Sequence, residues 1–123
     1  MTDDELASLM NLRVAMLTAA SAETAYDPGQ YEQDKETSRL SGHCAAAAHV
    51  IQQKFGGDII AGRVDKVPHY WNLLPDGSEV DLTSDQFGGN GIDPITTGRK
   101  TPRRKTVNSR FKVFARRVDQ FLH

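Results

Sequence analysis

A group of turn-forming residues between two strand-like stretches constrains the fold of this chain more than any other feature. Leu74-Pro75-Asp76-Gly77-Ser78 fits a hairpin with a three-residue loop, because proline suits the first loop position and glycine the left-handed third position. The flanking stretches 69–74 and 79–83 are then antiparallel strands in which Leu74 pairs with Ser78. The length of the loop decides which side chains share a face of the sheet.

This register predicts that two ionisable side chains meet on one face of the hairpin. His69 and Asp81 become diagonal neighbours on the face that also carries Trp71 and Thr83. Their backbones lie roughly 7–8 Å apart, and an imidazole and a carboxylate can close that gap with a hydrogen bond. A two-residue loop would place Asp81 on the opposite face from His69.

An alanine-rich helix is predicted just before the strands. Four alanines follow Cys44, and Gly56-Gly57 is a C-terminal stop, so Cys44 lies in the first helical turn and faces inward. A helix N-terminus and a nearby imidazolium both stabilise a thiolate, and N–H groups of the first turn can bind an oxyanion. We therefore predict Cys44 as a nucleophile, His69 as its base and Asp81 as the residue that orients the ring.

The remaining stretches complete an α+β chain with a helix at each end. Thr2 and Glu5 have capping-box spacing, which predicts a helix over 3–20. Its apolar positions are Leu6, Leu9, Met10, Val14, Ala15, Met16 and Leu17. We predict a loop over 26–40 around Pro28-Gly29, a strand over 59–64, a long basic surface loop over 84–108 and a final helix capped by Ser109. The 123 residues are predicted to form a single domain, 1–123.

Charge is distributed unevenly along the chain, although the net charge is only −1. Residues 1–36 carry eight acidic and two basic side chains, whereas Arg99 to Arg117 contains nine basic side chains and no acidic one. The two ends can attract each other, or the segment Arg99–Arg117 can meet an anionic partner or favour a phosphate-bearing or acidic substrate near the site. No aromatic residue interleaves within the run 99–105, which argues against a nucleic-acid partner.

Several classes of protein are not expected from the composition. No apolar run reaches membrane-spanning length, and the acidic N-terminus lacks the basic start of a secretory signal. The single cysteine excludes an intramolecular disulfide and favours a reducing, cytoplasmic setting. His43 and His49 could join Cys44 around zinc, but their side chains diverge on a helix and no fourth ligand is apparent, so we predict no metal or cofactor.

Three short motifs resemble the transglutaminase-like proteins of the papain-like superfamily. Gly42-His43-Cys44 resembles their Gly-Gln-Cys helix start, and His69-Tyr70-Trp71 and Val80-Asp81-Leu82-Thr83 resemble their strand histidine and strand aspartate. The stretch 41–87 is similar, more closely, to the small bacterial YunG-like proteins.

The resemblance implies a papain-like α+β core, with the cysteine helix packed on a small antiparallel sheet. It assigns Cys44, His69 and Asp81 to a hydrolase or acyltransferase that acts on an amide or thioester of a small molecule, peptide or protein. His43 stands where the family has glutamine and could serve an oxyanion only by donating an N–H, while Trp71 belongs to the core or walls the site. The alternative is a non-catalytic module that binds an anionic partner through its basic C-terminal segment.

Overall fold

The computed structural model describes residues 1–64, 67–84, 101–102 and 109–122, and these form an α+β structure. The helices are α1 (Asp3–Ala19), α2 (Pro28–Asp34), α3 (Cys44–Phe55) and α4 (Ser109–Leu122). The strands are β1 (Asp58–Val64), β2 (Val67–Leu73), β3 (Glu79–Val80) and β4 (Thr101–Pro102). The predicted α+β class and both terminal helices are confirmed.

The hydrophobic core lies where the helices pack on one another and on the sheet. Helix α1 contacts α4, and α3 contacts α4, β1 and β2. The buried core side chains are Leu9, Leu12, Ala15, Met16, Ala19, Leu40, Ala47, Val50, Ile51, Leu74, Val80, Leu82, Phe111, Phe114 and Val118. The packing holds the N-terminal half of the chain against its last helix.

Helix α1 buries only part of the apolar stripe that its sequence suggested: Leu9, Ala15 and Met16 are buried as expected. Thr2 caps it as predicted, with its hydroxyl accepting a hydrogen bond from Glu5 N at 3.1 Å. However, Leu6, Met10 and Val14 are exposed. The helix is apolar on more than one side, and its contact with α4 decides which side is buried.

Helix α2 lies within the stretch predicted to be a loop, so that prediction is wrong over residues 28–34. The Asp27 side chain accepts a hydrogen bond from Gln30 N at 3.1 Å, and Pro28 occupies the start of the helix. Aspartate at the N-cap followed by proline is a helix start, because proline has no N–H to leave unpaired there. The dipeptide Pro28-Gly29 therefore opens a helix rather than a turn.

The hairpin between β2 and β3 has the predicted three-residue loop. Leu73 pairs with Glu79, and Leu74 N donates to Ser78 O at 2.7 Å. Gly77 has φ of 90°, a left-handed conformation that favours glycine. Strand β3 ends at Val80, whereas the predicted strand extended to Thr83. The predicted C-terminal end of this strand is therefore wrong.

The strands form one antiparallel sheet in the order β3-β2-β1-β4. Thr101 and Pro102 pair with Ala61 and Ile60 of β1, so a strand interrupts the predicted loop 84–108. Residues 85–100 and 103–108 of that loop lie outside the described residues, and the single-domain assignment stays a prediction. Among the helices of the described ranges, none has the length and apolar character needed to cross a membrane.

Candidate active site

The start of α3 presents Cys44 at the rim of a cleft. Gly42 has φ of 73°, and its carbonyl accepts a hydrogen bond from Tyr26 N at 3.0 Å. The first helical hydrogen bond runs from Ala47 N to His43 O at 2.8 Å. The N–H groups just before Ala47, including that of Cys44, therefore precede the helical hydrogen-bond ladder and can bind a developing anion.

His69 and Asp81 form a buried hydrogen-bonded pair. The side chains are 0% and 1% exposed, and His69 Nε2 donates to Asp81 Oδ2 at 2.6 Å. The other carboxylate oxygen, Oδ1, accepts from both Thr83 N and Thr83 Oγ1 at 3.0 Å. These bonds fix the direction in which Oδ2 points and turn the chain away from β2, which explains why β3 ends before Asp81.

The pKa of His69 links this pair to Cys44. Burial alone would lower the pKa, but the hydrogen bond to Asp81 and the interaction with the Cys44 side chain outweigh burial and raise the pKa to about 9. Since Nε2 is engaged with Asp81, Nδ1 is the ring nitrogen that can exchange a proton with the thiol. The structure thus brings together the three residues that the sequence grouped, with Asp81 held through a turn rather than along a strand.

Trp71 supports the histidine from one side. Its ring stacks on that of His69, with centroids 5.8 Å apart and an angle of 26° between the planes. Its indole Nε1 donates to Glu79 Oε1 at 2.9 Å, and only 1% of the residue is exposed. We therefore propose that Trp71 positions His69 rather than contacting a substrate directly.

His43 turns its ring into the core. Nδ1 donates to the carbonyl of Ser41 at 2.8 Å, so the neutral ring accepts at Nε2 from the Thr24 hydroxyl at 2.7 Å. Burial lowers the pKa of His43, and the hydrogen bond to Ser41 opposes this only in part. The ring also contacts Tyr31 and Phe114. With both nitrogens engaged inside the protein, the predicted oxyanion donor is better explained as a structural residue, and this is the role we propose for it.

A cleft of about 760 Å³ adjoins the cysteine. Its described lining comprises Tyr26, Asp27, Gln30, Asp34, Thr37, Ser38, Ser41, Gly42, Cys44, Ala45, Pro68 and Tyr70. Much of this wall comes from α2 and the segments beside it, within the stretch 26–40 that was predicted to be a loop. The helix-start signal at Asp27-Pro28 is the feature of the sequence from which this ordered surface could have been predicted.

A metal site would need several ligand side chains in one place. In the part of the chain that the structure describes, no group of three or more His, Cys, Asp or Glu side chains is arranged to hold a metal ion. The ring of His49 packs instead against Phe111, with centroids 5.2 Å apart. His43 and His49 therefore serve different parts of the core.

Fold and site together define an α+β protein with a buried His–Asp pair beside a cysteine at a helix start. Residues 8–123 match the YunG protein family, so the chain belongs to that family. One similar relative is the uncharacterized protein YunG of Bacillus subtilis (strain 168), which is 46% identical over 46 residues. That match spans 37% of this chain and 39% of the relative. No solved structure matches the chain at a significant level.

Proposed function

We propose that this protein is a cysteine-nucleophile hydrolase or acyltransferase with a papain-like core, acting on an amide or thioester. The observation that carries the proposal is the buried His69, which is held by Asp81 at 2.6 Å and interacts with Cys44. Perturbed histidines next to a cysteine and an orienting carboxylate are typical of nucleophilic sites. The helix start at Cys44 adds a second stabilising influence on the thiolate.

The first half of the proposed reaction forms an acyl-enzyme. His69 Nδ1 takes the proton of the thiol, and Cys44 Sγ attacks the carbonyl carbon of the substrate. N–H groups in the first turn of α3 stabilise the negative oxygen of the tetrahedral intermediate. The carbon–nitrogen bond of an amide then breaks, His69 returns its proton to the leaving amine, and a thioester to Cys44 remains.

The second half releases the acyl group. A water molecule, or an amine in acyl transfer, attacks the thioester carbon while His69 takes its proton. The carbon–sulfur bond breaks, and Cys44 leaves as a thiolate that the imidazolium stabilises. Asp81 keeps the ring in the tautomer that has its proton on Nε2, so that Nδ1 can exchange a proton in both halves.

Alkylation of Cys44 by iodoacetamide between pH 5 and pH 9 tests the proposal. At pH 6 we expect the wild-type thiol to react at least about tenfold faster than free cysteine, because the histidine pair stabilises the thiolate. The variant His69→Ala should lose this advantage. His49→Ala is the matched control, since it removes a buried histidine from α3 whose ring packs on Phe111.

An ordinary reaction rate in both wild type and His69→Ala would contradict the proposed chemistry. Such a result would favour the alternative, a binding module that uses the segment Arg99–Arg117, part of which lies outside the described residues, on an anionic partner. If Cys44 is reactive, amide and thioester substrates can be screened for turnover, with Cys44→Ser as the inactive control.

A further inference from the structure

The cleft beside Cys44 carries negative charge. Asp27 and Asp34 both line it, and the described part of its wall contains no lysine or arginine. The nearest cations along the chain are engaged elsewhere: Lys35 pairs with Glu32 at 2.7 Å, and Arg39 donates to Leu17 O at 2.9 Å. This negative charge has the same sign as that of an acidic substrate, so the cleft disfavours the acidic substrate expected from the basic run.

The carboxylate of Asp34 is oriented by its neighbours. Its Oδ2 accepts hydrogen bonds from Ser41 Oγ at 3.0 Å and from Gln30 Nε2 at 2.9 Å, and the residue is half-buried. An oriented carboxylate in a concave, partly water-excluded wall attracts a cation more strongly than one on an open surface. Asp34 is therefore placed as a fixed acceptor at the end of α2.

A buried hydroxyl in the same wall offers a further acceptor. Ser38 is 7% exposed, and within the described ranges its Oγ has no hydrogen-bond partner. Buried hydroxyls are normally paired, so this one is suited to a donor supplied from outside the protein. Ammonium and guanidinium groups carry only donors, which matches the carboxylates of Asp27 and Asp34 and this hydroxyl.

The outer rim of the cleft already contacts a cation. The guanidinium of Arg110 lies 5.3 Å from the ring centroid of Tyr26, a residue that is 77% exposed. Aromatic faces attract cations through their ring quadrupole. The contact shows that an aromatic face at this rim accepts a guanidinium group.

We propose that this cleft binds a positively charged group of the substrate, such as a lysine or arginine side chain or an alkylamine, next to the bond that Cys44 attacks. This assignment rests on the proposed function for the identity of the bond, but the charge preference belongs to Asp27 and Asp34. It narrows the substrate class from any amide or thioester to one that is cationic close to the reacting carbonyl.

Charged thiol reagents measure this preference directly at Cys44. A methanethiosulfonate transfers its thioalkyl group to the cysteine, forming a disulfide and releasing methanesulfinate. The ratio of rates for the trimethylammonioethyl and sulfonatoethyl reagents reports the charge of the cleft. We expect this ratio to be about tenfold higher in the folded protein than in the same chain unfolded in urea, at the lower end of what single-sign clefts produce.

Two variants and one control locate the effect. Asp27→Asn keeps an N-cap acceptor for Gln30 N, and Asp34→Asn keeps an acceptor for the Ser41 hydroxyl. We expect each to lower the ratio about threefold and the pair to bring it to the unfolded value, with an effect that weakens in high salt. Glu36→Gln makes the same charge change outside the cleft and should leave the ratio close to that of wild type.

A ratio equal to that of the unfolded chain, or one unchanged by both aspartate variants, would overturn the proposal. The same ratio measured in His69→Ala separates this result from the proposed function. If His69→Ala reacts more slowly but keeps the wild-type ratio of the two reagents, both the catalytic proposal and the cationic-substrate proposal are supported. If the Cys44 thiol reacts fast in a His69-dependent way but shows no charge preference, only the cationic substrate is refuted. If the charge preference is present but the reactivity of Cys44 is the same in wild type and His69→Ala, only the catalytic proposal is refuted.

Discussion

Replacing Asp81 by asparagine tests how the buried pair holds His69. The pKa of His69 is raised from its ordinary 6.5 to about 9, despite burial, by the hydrogen bond to Asp81 and the interaction with Cys44. This rise corresponds to about 3 kcal/mol of preference for the protonated ring in the folded protein. Asparagine keeps an acceptor for Thr83 but removes the negative charge. The main interaction that raises the pKa of His69 is then lost while burial still lowers it, so the pKa of His69 falls.

The sign of the effect on stability follows from that shift. Because the pKa is higher in the folded state, the contribution is fully present below pH 6.5 and is lost as the pH rises through about 9. We expect Asp81→Asn to lower the free energy of unfolding by up to about 3 kcal/mol at pH 6 and by much less at pH 9.5. The difference between wild type and variant should therefore shrink across this window.

Urea unfolding followed by the fluorescence of Trp71, the single tryptophan, measures the two free energies. Asp58→Asn, at the exposed start of β1, is the control for removing one negative charge. A variant-to-wild-type difference that stays constant within about 1 kcal/mol from pH 6 to pH 9.5 would refute the role given to the carboxylate. Alkylation at pH 6 should fall in the same variant, since a wrong tautomer places a proton on Nδ1.

Two further substitutions test the support of the site. Thr83→Val removes one hydrogen bond to Asp81 and should slow alkylation of Cys44 at pH 6 about tenfold, a smaller effect than that of Asp81→Asn. If the variant is less stable but its pH profile of alkylation is unchanged, the role of Thr83 is only structural. Gly57→Ala should destabilise by at least about 2 kcal/mol in urea unfolding, because φ is 81° and a Cβ would lie 2.2 Å from Leu73 O. Gly77→Ala, with φ of 90° and no atom within 4 Å, is its control and should cost about 1 kcal/mol; equal losses would contradict the close approach.

Local signals predicted the parts of the site that depend on nearby residues. The loop Pro75-Asp76-Gly77 set the register of the hairpin, because proline fixes its own φ and glycine can adopt the left-handed conformation that the turn requires. The same holds for α3, whose ends at Cys44 and Gly56 follow from helix propensity and a glycine stop. The pairing of His69 with Asp81 therefore follows from the residues of the hairpin itself.

Other features depend on contacts that sequence spacing does not contain. The side chain of Asp81 bonds to Thr83 and ends the strand early, although the residues have strand character. His43 neighbours the nucleophile in sequence, yet Thr24 and Phe114 draw its ring into the core. The contacts of His43 join residues far apart in the chain, and only the packing of the helices brings them together.

The burial of His69 sets an order of events in the proposed reaction. Because the ring is 0% exposed, the water that completes hydrolysis must arrive by the route that Cys44 shares with the cleft. The leaving amine has to vacate that route first. An amine held by Asp27 and Asp34 would instead remain beside the thioester and take the acyl group back. The residence time of the amine, rather than the strength of the nucleophile, would then decide how much acyl-enzyme is hydrolysed and how much is returned.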